Sequence, residues 1–198
     1  MKKLLIALIF LSMVFSIFAC LSKRKIPPPP AEPPKREAVP PPPYVVTPLV
    51  WSYGKDAIRL ELRSDPRLNL YDGIPHTLLL CVYQMSDPNA FNQLKDEKDG
   101  LPKLLECARF DSSVTSAKRH IMQPAEDKTL SLDRAEGAKY VGIVGGYYLL
   151  QKELSVRLFQ VPVEETINET ERTKTTKPGF LHIKLYLGPQ MIHENKGK

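Results

Sequence analysis

The stretch Ala57-Ile58-Arg59-Leu60-Glu61-Leu62-Arg63 decides the fold class. Ile58, Leu60 and Leu62 recur at every second position with Arg59, Glu61 and Arg63 in the gaps, a period of two that gives a strand one apolar face and a helix none. Downstream, Leu78-Leu79-Leu80-Cys81-Val82-Tyr83 is apolar throughout, too short for an isolated helix and bounded by Pro75 and Asp87-Pro88. It predicts a central strand covered on both sides. Asp87 then reads as a helix N-cap with Pro88 at the first helical position. Phe91, Leu94, Leu101, Leu104 and Leu105 supply an apolar stripe broken at Gly100-Leu101-Pro102, which predicts a short helical insertion.

Strand patterns return at Val114 to Met122, Thr129 to Leu132, Tyr140 to Leu150, Leu154 to Phe159 and Leu181 to Leu187. About seven strands with one helical stretch lack the alternating helices of a parallel sheet, so the expected class is a mainly β, antiparallel β-sandwich. Gly142, Gly145 and Gly146 fall within one strand pattern and no helix start follows them, so they mark a bulge or the close approach of a neighbouring element, not a phosphate loop. Val163 to Gly179 is polar and reads as a mobile hairpin loop.

Upstream of Trp51 the composition changes. Half of the residues from Pro27 to Pro48 are proline, which cannot donate ladder hydrogen bonds, so this stretch is expected to be extended polyproline II. At ~3.1 Å per residue, about 28 residues span on the order of 90 Å. A spacer explains the composition better than a ligand for an SH3-like or WW-like groove. Ahead of it, Lys2 and Lys3, an apolar run from Leu4 to Phe18 and the small Ala19 have the layout of an export signal, too short to span a membrane permanently.

Ile17-Phe18-Ala19-Cys20 resembles the bacterial lipobox, with Phe18 departing from its usual small or aliphatic residue. The resemblance implies cleavage before Cys20 and a covalent lipid on that residue, whose two or three acyl chains would make attachment effectively permanent. Leu21 stands where an Asp would favour retention in the inner membrane, which implies the outer membrane. The expected organisation is a signal peptide over 1–19, a lipidated cysteine and tether over 20–48, and a periplasmic domain over 49–198.

The formal charge of +6 is misleading about the domain. Two of the cations, Lys2 and Lys3, belong to the signal. The tether carries Lys23, Arg24, Lys25, Lys35 and Arg36 against Glu32 and Glu37, leaving the domain near neutral and nucleic-acid binding excluded. His76, His120, His182 and His193 are scattered, without a His-Glu-x-x-His pair, a Gly-x-Ser-x-Gly elbow or a Walker loop. The sequence therefore supports no metal site, cofactor or catalytic centre. In an oxidising compartment Cys81 and Cys107 are candidates for a disulfide, and Cys81 reads equally well as a small core residue.

At this point the sequence resembles the TssJ family, the outer-membrane lipoprotein of the bacterial type VI secretion system. The residues that carry the likeness are Trp51, Ala57-Ile58 with Leu60, Leu68-Asn69-Leu70-Tyr71-Asp72-Gly73, Val82-Tyr83-Gln84-Met85 with Asn89-Ala90-Phe91, Leu130-Leu132-Asp133-Arg134, and Tyr140 through Tyr148. Their order, more than any single piece, makes the match. It implies a transthyretin-like β-sandwich with a helical insertion that binds the periplasmic C-terminal region of the inner-membrane protein TssM, with TssL a more distant associate.

The resemblance also implies that the loop between the first two strands, Asp65 to His76, meets TssM. Leu68, Asn69, Leu70, Tyr71, Asp72, Gly73 and Ile74 are the candidate contact residues, with Asn69, Asp72 and Gly73 suited to shaping the turn. The bland alternative is that the apolar members fold back over the sandwich. The rival function is a periplasmic glycan-binding or chaperone-like β-sandwich lipoprotein, in which Trp51 would stack on a ligand.

Overall fold

A computed structural model describes residues 43–194; the signal segment, Cys20 and most of the tether lie outside them. Two four-stranded sheets form the sandwich. The first is ordered β11 (Ile192–Glu194), β10 (Leu181–Leu187), β2 (Gly54–Ser64), β5 (Asp127–Arg134), and the second β4 (Val114–Met122), β3 (Leu78–Met85), β6 (Tyr140–Gly145), β7 (Val156–Gln160). Ile58, Leu60 and Leu62 of β2 and Leu181, Ile183 and Leu185 of β10 face Leu80 and Val82 of β3 and Val141 and Ile143 of β6 in one core. The period-two reading of β2 holds, with all three apolar residues buried.

The strand β3 is central, between β4 and β6, and its other face also lies under cover. The helical insertion supplies that cover. In α1 (Asn89–Asp96) and α2 (Gly100–Leu104), Phe91 and Leu104 are buried against Cys81, Tyr83 and Met85. Tyr83 crosses edge-on to Phe91 and Phe110 at 6.0 and 5.4 Å between ring centres, and its hydroxyl donates to the Leu104 carbonyl at 2.6 Å. Burial raises that hydroxyl's pKa to about 12, so it stays a donor. Cys81 and Cys107 form a disulfide across Cα atoms 5.0 Å apart, tying the end of the insertion to the central strand. Gly142 is required here because a Cβ would meet the Phe91 ring at 2.8 Å; this is the close approach that the strand glycines suggested.

Several expectations change. The sandwich's sheets are antiparallel-rich with one parallel pair, since β10 returns beside β2 in parallel after the long excursion that starts at β3. The helix starts one residue later than expected: Pro88 occupies the N-cap and its carbonyl accepts from Asn92, while the Asp87 carboxylate accepts from the Asn89 N–H at 2.8 Å. The break between the helices falls at residues 97–99, and Pro102 lies within the first turn of α2, where its missing N–H costs nothing. The strand β6 stops at Gly145, not Leu150. Leu154 belongs to a helical turn, α3 (Lys152–Ser155), stapled to α1 by Lys152 and Asp96 at 2.8 Å.

The largest departure is Val163 to Gly179, which is not a loop. It forms the strands β8 (Val163–Asn168) and β9 (Thr173–Pro178), paired antiparallel and joined by a turn in which Arg172 has φ 51°. The expected tether also contributes a strand: β1 (Val45–Thr47) pairs in parallel with β9, giving a third sheet of order β1-β9-β8. Neither face of β8 is covered, which is why its sequence shows no apolar period.

Candidate functional site

The connection Asp65–Thr77 is built from its two roots inward. The Asp65 carboxylate accepts the Tyr186 hydroxyl and the Arg67 N–H, and these hold its pKa below the ordinary carboxylate value. Its backbone N–H donates to Leu187 and its carbonyl accepts from Leu68. Leu68 is fully buried in the main core. Asn69 takes the left-handed conformation at φ 47°, which its short amide side chain tolerates. That amide donates to the Thr77 carbonyl at 2.9 Å and accepts from the Tyr148 N–H at 2.7 Å. Asn69 thereby couples this connection to the one after β6.

Beyond this brace the chain makes a miniature hairpin. Tyr71 and Ile74 exchange both backbone hydrogen bonds, at 3.0 and 2.9 Å, around Asp72 and Gly73. Both central residues have positive φ, 50° and 74°, the requirement of the tight primed turn that Asp-Gly favours. The turn presents Tyr71 and Ile74 to solvent, 44 % and 60 % exposed.

The second half of the surface comes from the β6–β7 connection. Gly146 donates to the Leu79 carbonyl at 2.8 Å, Tyr147 turns into the core, and Tyr148 and Leu149 point out, 62 % and 50 % exposed. The Tyr71 and Tyr148 rings stack at 3.3 Å between centres and 23° between planes. Tyr71, Ile74, Tyr148 and Leu149 are thus four large side chains from two connections, braced from below by Leu68 and Asn69. Preorganised aromatic area at low entropic cost is the usual anchor of a protein–protein contact.

Of the candidate contact residues, the structure brings Tyr71 and Ile74 to this surface and places Asp72 and Gly73 at its exposed tip. Leu68 and Asn69 are buried and serve as scaffold, and Leu70 is half-buried, its N–H donating to the Pro189 carbonyl. Sequence reasoning missed Tyr148 and Leu149 because it continued β6 through them. The Gly145-Gly146 pair was the available signal that the strand ends there.

The surface lies at the end of the sandwich where β2 finishes. Gly54 is the first residue of β2 and Ser64 the last, leading into Asp65. They are the first and last of the strand's 11 residues, about 33 Å apart at ~3.3 Å per residue step.

Among the described residues no three of His, Cys, Asp and Glu come together as metal ligands, and the four histidines lie on separate elements. A groove of about 310 Å³ is lined by Glu61, Arg63, Asp127, Lys128, Thr129 and Lys184, with no aromatic ring for a sugar to stack on. Trp51 is half-buried and packs on the main core.

Fold and surface together define a mainly β sandwich that carries an exposed apolar surface built from two of its connections. Residues 56–185 match the family described as type VI secretion lipoprotein, VasD, EvfM, TssJ, and the chain belongs to that family. The chain is similar in fold to Serratia marcescens Lip, described as a membrane-bound component of the type VI secretion system, at TM-score 0.55 and 15% identity over 74% of this chain and 99% of that one. A structure described as the type VI secretion protein TssM C-terminal domain (869–1107) from EAEC matches at TM-score 0.50 and 14% identity, over 71% and 98%. The lipoprotein TssJ1 from Pseudomonas aeruginosa is similar at TM-score 0.49 and 18% identity, over 74% and 98%. Among curated proteins, none matches the sequence significantly.

Proposed function

We propose that this chain is the outer-membrane-anchored lipoprotein of a type VI secretion membrane complex, held by a lipid on Cys20 and binding the periplasmic C-terminal region of TssM. TssL and the rest of the machine associate through TssM. The domain extends from the end of the tether to the C-terminus, with 1–19 removed as signal peptide.

The observation that carries this reading is the braced apolar surface of Tyr71, Ile74, Tyr148 and Leu149, which stands at the end of the sandwich where β2 finishes. Exposed, large and held in one geometry, these side chains suit contact with a protein partner. Family membership supplies the secretion context. Leu68 and Asn69 act as supports and Asp72-Gly73 as the turn that aims Tyr71 and Ile74.

Titration calorimetry with the periplasmic region of TssM tests it directly. Tyr71→Ala should weaken binding by about 2 kcal/mol, roughly thirtyfold, with unfolding unchanged. Unaltered affinity in both Tyr71→Ala and Tyr148→Ala would remove this surface from the contact. Membrane fractionation tests the anchor: Cys20→Ser should release the protein, and a variant that still sediments with membranes would argue against the lipid.

A further inference from the structure

The tether is so rich in proline that it has little capacity for a β-ladder, with one exception immediately before the sandwich. Pro40 to Pro43 and Pro48 bracket the tetrapeptide Tyr44-Val45-Val46-Thr47, an aromatic followed by three β-branched residues. These are the side chains most favoured in strands, and the prolines on either side stop pairing from spreading.

This tetrapeptide docks on β9. Val45 pairs with Thr173, Val46 with Lys174 and Thr47 with Thr175, and the Val45 N–H donates to the Arg172 carbonyl at 2.9 Å. Thr176 donates its hydroxyl to the Thr47 carbonyl. The Tyr44 hydroxyl donates to Glu169 at 2.6 Å while the Arg172 guanidinium lies 4.4 Å over its ring. Apolar burial contributes little, since Val45 is 68 % and Val46 59 % exposed. No residue of β8 is buried either. A two-stranded hairpin outside a core is marginal by itself, and here its third strand is borrowed from the tether.

We propose that Tyr44–Thr47 is a latch: the tether's own strand-forming tetrapeptide docks in cis on β9, and the β8–β9 hairpin is ordered only while it is docked. The binding site is the β9 edge with the Glu169–Arg172 clamp, and the ligand is an extended peptide with a hydroxylated aromatic ahead of β-branched residues. Docked, the segment is held on the hairpin from Tyr44 onward. Released, residues 44–50, which precede Trp51 on the main core, add about 22 Å of reach at ~3.1 Å per residue. The latch stands independently of which partner holds the far end.

Two measurements on the full chain test this. In Val46→Cys/Lys174→Cys, treated with a short bismaleimide and mapped by mass, a link between residues 46 and 174 of one polypeptide is expected. A link between two copies, seen by mixing isotopically light and heavy protein, would overturn docking in cis, and no link would overturn docking altogether. In Val45→Pro, which removes a ladder donor, hydrogen exchange at the amides of 163–177 should accelerate at least tenfold while β2 and β10 stay protected. Tyr44→Phe, which loses only the hydroxyl bond, should give a smaller acceleration of the same amides. Unchanged hairpin exchange in Val45→Pro with the sandwich intact would overturn the coupling.

Discussion

The connection Asp65–Thr77 and the hairpin Val163–Pro178 are both polar-looking insertions of similar length, and they are held by different physics. The first drops Leu68 into the core and pins its neighbour Asn69 through two side-chain hydrogen bonds, so its exposed tip stands on a rigid base. The second buries none of β8 and relies on backbone pairing, with Glu165–Lys174 at 2.9 Å and Glu164–Lys177 at 3.3 Å across its strands. Burial of a few side chains makes a loop part of the global unfolding unit, whereas ladder bonds in water leave an element free to open locally. A surface that must present Tyr71 and Ile74 in one geometry needs the first kind of support. An element that docks a tether needs only the second.

The sharpest way to break that comparison is at Leu68. Leu68→Ala should cost about 2–5 kcal/mol of global stability, read from the urea midpoint, because the fully packed site cannot collapse around the missing atoms. A loss below about 1 kcal/mol would mean that the connection is not anchored by burial. Asn69→Ala comes next: it strands the Thr77 carbonyl and the Tyr148 N–H and should cost about 1–3 kcal/mol. The exchange rate of the Tyr148 amide should rise with it. Asn69→Gly would relieve the positive φ yet keep most of that penalty, which separates the bonds from the backbone strain.

A smaller effect lies at the root of the same connection. Asp65 is held below its ordinary pKa chiefly by the Tyr186 hydroxyl and then by the Arg67 N–H. A carboxylate so depressed stabilises the fold fully above its unfolded pKa, and that contribution vanishes as pH falls through the folded value. Tyr186→Phe should therefore move the Asp65 pKa upward in a carboxyl NMR titration and flatten the acid-side loss of stability. An unmoved Asp65 would assign the depression to the backbone alone. Smallest of all, Glu165→Ala in the hairpin should change global stability by no more than about 0.5 kcal/mol, since its ion pair with Lys174 is largely in water. A loss comparable to that of Asn69→Ala would erase the distinction between the two insertions.

Elements with one buried face were legible because the pleat writes burial directly into the residue pattern. The alternation of Ile58, Leu60 and Leu62, and of Leu181, Ile183 and Leu185, identified β2 and β10, and the continuous run from Leu78 identified β3 as doubly covered. The hairpin escaped because a strand bare on both faces leaves no such imprint: Glu164-Glu165-Thr166-Ile167 has no apolar period to read. The strand β6 was overextended for the opposite reason, since Tyr147 to Leu150 are apolar although the chain has already turned at Gly145-Gly146.

The chain's mainly β class, the helical insertion over the central strand and the existence of a long connection after β2 follow from the sequence by itself, because each depends on local periodicity, prolines and turn residues. The parallel return of β10, the stacking of Tyr71 on Tyr148 and the pairing of Tyr44–Thr47 with β9 were decided only in three dimensions. Each joins residues 77 or more positions apart in the chain, and no local pattern records which distant partner a face or an edge will meet.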